Sequence, residues 1–120
     1  MDISARLDEL RQLKDGWFEG KGLAPKQDGL DWLTDVFEKY YPDDLSLPYI
    51  YPTAEGNIQA EWSIKPNEAS LEIDLKSHKG EWHCLNLDSN AEDTDTLNLE
   101  QEQNWELLID KLRKLSRVHV

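Results

Sequence analysis

Apolar residues recur along this chain with two periods, and the period changes twice. Ile3, Leu7, Leu10 and Leu13 fall at helical spacing with charged residues between them, which predicts a short amphipathic helix. It is expected to stop at Asp15-Gly16, where glycine can take the left-handed conformation that ends a helix. Trp17 to Ala24 reads as a loop, with Trp17 and Phe18 expected to plug the core beneath it. A second helix should start near Pro25, a residue favoured in the first helical turn. Its stripe is Leu30, Leu33, Phe37 and Tyr40, widened by Trp32, Val36 and Tyr41, and Pro42 ends it.

From Leu47 the period drops to two. Leu47 to Tyr51, flanked by Pro48 and Pro52, fits an edge strand. Glu55-Gly56-Asn57 supplies turn chemistry, after which Ile58, Ala60, Trp62 and Ile64 alternate with Gln59, Glu61 and Ser63. Pro66-Asn67 marks the next turn. Leu71, Ile73 and Leu75 then alternate with Ser70, Glu72 and Asp74. A loop centred on His78-Lys79-Gly80 leads into a fourth strand, Glu81 to Leu87. Asp88 to Thr96 reads as a polar acidic loop. The helical period returns from about Glu100 to Leu115, with Trp105, Leu108, Ile109, Leu112 and Leu115 on one stripe, acids early and bases late.

The expected fold is α+β in a single domain, residues 1–120. Two N-terminal helices precede a four-stranded antiparallel meander, a C-terminal helix follows it, and all three helices pack on one sheet face. The other face is left open. Alternation sends Gln59, Glu61, Ser63, Ser70, Glu72 and Asp74 to that open face. For the fourth strand, a tight hairpin pairing Ile73 with His83 and Leu71 with Leu85 turns Trp82, Cys84 and Asn86 outward as well. Trp82 then stands opposite Asp74. No lysine or arginine belongs to the face so defined.

Charge sharpens this picture. The 120 residues carry 25 acidic and 13 basic side chains, a formal charge of −12. Residues 1–26 balance at five acids and five bases, residues 88–106 hold seven acids and no base, and residues 107–120 hold four bases and one acid. Such a chain attracts basic partners and repels nucleic-acid phosphates. The single cysteine, Cys84, excludes an internal disulfide, and no basic-plus-apolar leader opens the sequence, so a cytoplasmic setting is expected. No apolar run approaches the ~20 residues that span a bilayer.

Motifs for catalysis are weak. Gly20-Lys21-Gly22 resembles part of a dinucleotide loop, but a helix precedes it where a buried strand is needed. Asp88-Ser-Asn90-Ala-Glu92 begins like a calcium loop, yet its sixth position is Asp93 and its twelfth Leu99. His83 and Cys84 are adjacent in a strand and point to opposite faces, and no zinc spacing links them to His78 or His119. No G-x-S-x-G elbow is present. No cofactor is implied.

Gly16-Trp17, Gly20-x-Gly22-x-Ala24-Pro25 and Pro52-Thr-x-Glu55-Gly56-x-Ile58-Gln59-x-Glu61-Trp62 together resemble a family of small bacterial proteins of unassigned function, as do Ser70 to Asp74 and Glu81-Trp82-His83. The resemblance implies one compact domain and carries no activity, cofactor or catalytic residue with it. The expected function is noncatalytic binding of a basic protein, in the manner of antitoxins, immunity proteins and nuclease inhibitors. Gln59, Glu61, Glu72 and Asp74 would meet partner lysines or arginines, with Trp82 and Tyr51 as apolar anchors. The alternatives are a metal-dependent hydrolase using Glu61, Glu72 and Asp74, a DNA mimic, and a homodimer joined through the open face.

Overall fold

A computed structural model describes residues 3–116; His119 lies outside them. The architecture is α+β, with three helices and a five-stranded antiparallel sheet in the simple order β1-β2-β3-β4-β5. Helix α1 spans Ile3–Leu10 and buries Ile3, Leu7 and Leu10. Leu13 lies beyond it in a tightened final turn, where its N–H donates to the Leu10 carbonyl at 3.2 Å. Helix α2 spans Gln27–Tyr40 and buries Gly29, Leu30, Leu33 and Phe37. Helix α3 spans Glu102–Ser116 and buries Trp105, Leu108 and Leu112. Trp105 joins the layers: its ring meets Phe37 edge-on at 5.3 Å, and its indole N–H donates to the Leu99 carbonyl at 2.8 Å. No helix among the described residues is long and apolar enough to cross a membrane.

The expected core plug between α1 and α2 is absent. Residues 16–22 form a miniature hairpin in which Phe18 and Lys21 exchange two backbone hydrogen bonds of 2.8 Å around Glu19-Gly20, both at positive φ. That is the geometry of a two-residue primed turn. It projects Phe18 into water at 54% exposure. Trp17 folds back on Gly22 instead and donates its indole N–H to the Leu23 carbonyl at 2.8 Å.

The strands are β1 (Tyr49–Pro52), β2 (Ile58–Ile64), β3 (Asn67–Ile73), β4 (Lys79–Asn86) and β5 (Glu92–Asn98). β1 is an edge strand, as its flanking prolines require. Arg6 of α1 reaches that edge, donating Nε–H to the Ile50 carbonyl at 2.9 Å. Two expectations fail at the opposite edge. The acidic segment expected to be a loop contains β5, so the meander has five strands. Only Asp88 to Ala91 is left to turn the chain.

The β4 register also differs. Ile73 pairs with Gly80 and Leu71 with Trp82, three residues away from the expected Ile73–His83 and Leu71–Leu85 pairing. A slip by an odd number turns every side chain of a strand over. Trp82 and Cys84 therefore point into the core, at 2% and 6% exposure, while Glu81, His83 and Leu85 face outward. The physical reason is apolar area. Burying a tryptophan removes about 150–250 Å² from water, worth roughly 4–6 kcal/mol at ~25 cal/mol/Å². Leaving Leu85 half-buried and Leu87 exposed gives up less.

Candidate protein-binding face of the sheet

The pleat and the register place the outer face in rows that cross the strands. One row runs Tyr51, Gln59, Glu72, Glu81, Thr96; the next runs Tyr49, Glu61, Ser70, His83, Thr94. A third runs Ser63, Glu68, Leu85, Glu92. Five glutamates thus share one face, from Glu61 on β2 to Glu92 on β5. Three of them accept a hydrogen bond from a neutral neighbour within the face. Gln59 donates to Glu61 at 2.7 Å, Ser63 to Glu68 at 2.9 Å, and Thr96 to Glu81 at 2.9 Å. Glu72 has no such partner among the described residues and stands directly opposite Glu81. His83 Nε2 lies 4.0 Å from the Glu92 carboxylate, a contact that is an ion pair only with the imidazole protonated.

Ser70 is the small residue in this array. Glu68 and Glu72 flank it along β3, Glu61 and His83 flank it across the sheet, and the result is a shallow depression of about 230 Å³. Its wall on the β4 side is His83 and Leu85. At one edge of the face stand Tyr49 and Tyr51, 68% and 44% exposed, with Leu47 exposed just before them.

The helix side treats charge differently. There the two inward-facing acids of β5 share a base. Asp93 and Asp95 of β5 point inward, and Lys111 of α3 meets them at 2.9 and 3.7 Å. Trp82 donates its indole N–H to the same Asp93 carboxylate at 3.0 Å. Lys111 holds the Asp93 carboxyl below the usual carboxylate range. Inward charges on an edge strand also discourage pairing with a further strand. The core-facing Cys84 thiol is pushed up by burial, with Asp93 adding to the shift, so it stays protonated.

Of the residues expected to form the site, Gln59, Glu61 and Glu72 come together on the outer face, and Tyr51 stands at its edge. Asp74 and Trp82 do not join them. Asp74 lies in the β3–β4 turn, where its Oδ1 accepts the Ser77 and Lys76 amide N–H groups at 3.0 and 2.8 Å. Those two hydrogen bonds hold its carboxyl below the ordinary range. Trp82 is a core residue, so it offers no exposed anchor. Asn86, the last residue of β4, likewise serves a turn, its Oδ1 accepting the Asp88 and Ser89 amide N–H groups. The residues missed are Glu68, Glu81, His83, Leu85 and Tyr49. Glu68 was legible, because it continues the alternation of Ser70 and Glu72. The β4 residues were hidden by the register.

The face can accept hydrogen bonds and pair with cations. Among the described residues no group of three or more His, Cys, Asp or Glu side chains is placed to hold a metal ion.

At the far end of the sheet lies a second concavity of about 580 Å³, bordered by Leu23, Gly29, Trp32, Glu55, Leu75 and His78. Two segments of the glycine-rich pattern meet at its rim. Leu23 donates its N–H to the Ala54 carbonyl at 2.8 Å, and Gly56, at φ 84°, lies so close that a Cβ there would meet Leu23 Cβ at 3.3 Å. His78 stacks on Trp32 at 3.8 Å and meets Glu100 through Nδ1 at 3.0 Å. The two halves of the pattern are therefore one structural joint. Against protein-family models, curated proteins and solved structures, the chain finds no match.

Proposed function

We propose that this chain is a noncatalytic binding module that docks a basic protein on the outer face of its sheet. One observation carries the reading: the lysines and arginines that form ion pairs among the described residues all do so away from this face. Arg6 pairs with Glu9, Arg11 with Asp8 and Asp31, Lys111 with Asp93 and Asp95, Arg113 with Asp44, and Lys114 with Asp110. Glu61, Glu68, Glu72 and Glu81 have no lysine or arginine partner among the described residues. Lys79 opens β4 two residues before Glu81 and is exposed. Like charges set opposite one another in a sheet cost stability. A partner's cations would offset that cost, and complementary potentials would speed the encounter. With Trp82 in the core, Tyr49 and Leu85 join Tyr51 as the apolar contacts.

The test compares three proteins as bait in lysate of the source cell: the native chain, a Glu61→Lys/Glu72→Lys variant, and a Glu102→Lys/Glu106→Lys variant with the same charge change on exposed positions of α3. The captured protein is identified, purified and titrated against each. Affinity at least about tenfold lower for the sheet variant alone supports the docking face. Equal loss in both variants means that net charge acts without a defined surface, and the reading fails.

A further inference from the structure

The two ends of the outer face differ in a way that bears on which basic residue it takes. This step rests on the reading of that face as a docking surface. Tyr49 and Glu61 are direct cross-strand partners, and so are Glu61 and Ser70. Side chains at directly opposed positions on one face are about 5 Å apart at Cβ. An exposed phenol ring, a carboxylate and a small hydroxyl floor therefore stand in line, with the shallow depression around Ser70 beyond Glu61. Tyr51 repeats the ring next to Gln59 and, beyond it, Glu72. Arg6, the arginine that reaches the β1 edge, is held there by the Ile50 carbonyl and by Glu9 at 3.0 Å.

A ring beside a carboxylate discriminates between the two strongly basic side chains. A guanidinium is planar, so it can lie on a tyrosine face while its N–H fork reaches a carboxylate. An ammonium is a compact, strongly hydrated point charge that pairs with the carboxylate and gains little from the ring. A flat group also suits a shallow depression with a serine at its base. From this juxtaposition we infer that the partner inserts an arginine between Tyr49 and Glu61, its guanidinium stacked on the ring and forked onto the carboxylate. The face is thus selective for arginine over lysine.

Two blocked hexapeptides test this, identical except that one carries three alternating arginines and the other three lysines. Each is titrated into the intact protein at low ionic strength, with backbone amide resonances giving both the location and the affinity. The expected result is shifts centred on Tyr49, Glu61 and Ser70, with the arginine peptide bound roughly threefold or more tightly. Tyr49→Leu should abolish the preference and Tyr49→Phe should keep it, since phenylalanine retains the ring face. Equal affinities for the two peptides at this face overturn the arginine inference and leave the docking surface standing. If neither peptide moves these resonances, both ideas fall. A concentration-dependent dimer in sedimentation, with the same resonances broadened before any peptide is added, assigns the face to a second copy and also overturns the inference.

Discussion

Single residues settle how polar groups enter this small core. Tyr41 is buried, accepts the Trp62 indole N–H at 3.0 Å and donates its hydroxyl to the Ser46 carbonyl. Burial pushes its hydroxyl up to about 12. An unfolded tyrosine loses its proton near pH 10. Below pH 10 both states keep the proton, and the group adds no pH dependence. Between about pH 10 and 12 the unfolded chain alone releases it, so stability falls with rising pH by up to roughly 2–3 kcal/mol. Tyr41→Phe should remove that part of the alkaline slope in denaturant midpoints. At neutral pH it should cost about 1–3 kcal/mol, because the Trp62 N–H is left without its acceptor. An unchanged slope in the variant would assign the alkaline loss to other groups. Gly29 shows the same economy of space without chemistry. A Cβ there would meet Leu75 Cβ at 2.7 Å, which explains a glycine inside a helix that alanine would otherwise favour.

At the scale of elements, the long apolar stripes were the legible part. α2 and α3 appear where their periodicity predicts them, and β2 follows its alternation from Ile58 to Ile64. β5 was illegible because two of its three inward positions are Asp93 and Asp95, which look like solvent residues until Lys111 and Trp82 are placed above them. The β4 register was illegible because turn length decides it. Asp74 organises a connection of five residues to His78, and an assumed turn elsewhere inverts the strand. The outer face of that hairpin now holds the opposed pair Glu72 and Glu81, neither of which forms an ion pair among the described residues. Glu81→Lys should turn this pair attractive and raise stability by roughly 0.2–1 kcal/mol, read as a higher denaturant midpoint. The same substitution should weaken capture of the basic partner. A stabilised variant that binds as well as the native chain would remove Glu81 from the docking surface.

Across the whole molecule, the charge of −12 divides into two populations. Asp8, Glu9, Asp31, Asp44, Asp93, Asp95 and Asp110 pair with an arginine or lysine, whereas Glu61, Glu68, Glu72 and Glu81 of the outer sheet face pair with neither among the described residues. Excess negative charge opposes compaction, and salt screens it over about 10 Å at 0.1 M. Raising ionic strength from about 0.01 M to 0.5 M should therefore raise the melting temperature while lowering affinity for a basic partner. A melting temperature that falls with salt would mean that pairs such as Lys111 with Asp93 outweigh the repulsion. The sequence by itself determined the class of fold, the helix stripes, the edge position of β1 and the outward placement of Glu61 and Glu72, because local periodicity encodes which side chains share a face. Only the tertiary structure decided that Trp82 is core, that Asp74 serves a turn, and that an acidic stretch closes the sheet. Those outcomes depend on pairing register and on a lysine arriving from a distant helix, and neither leaves a local pattern in the chain.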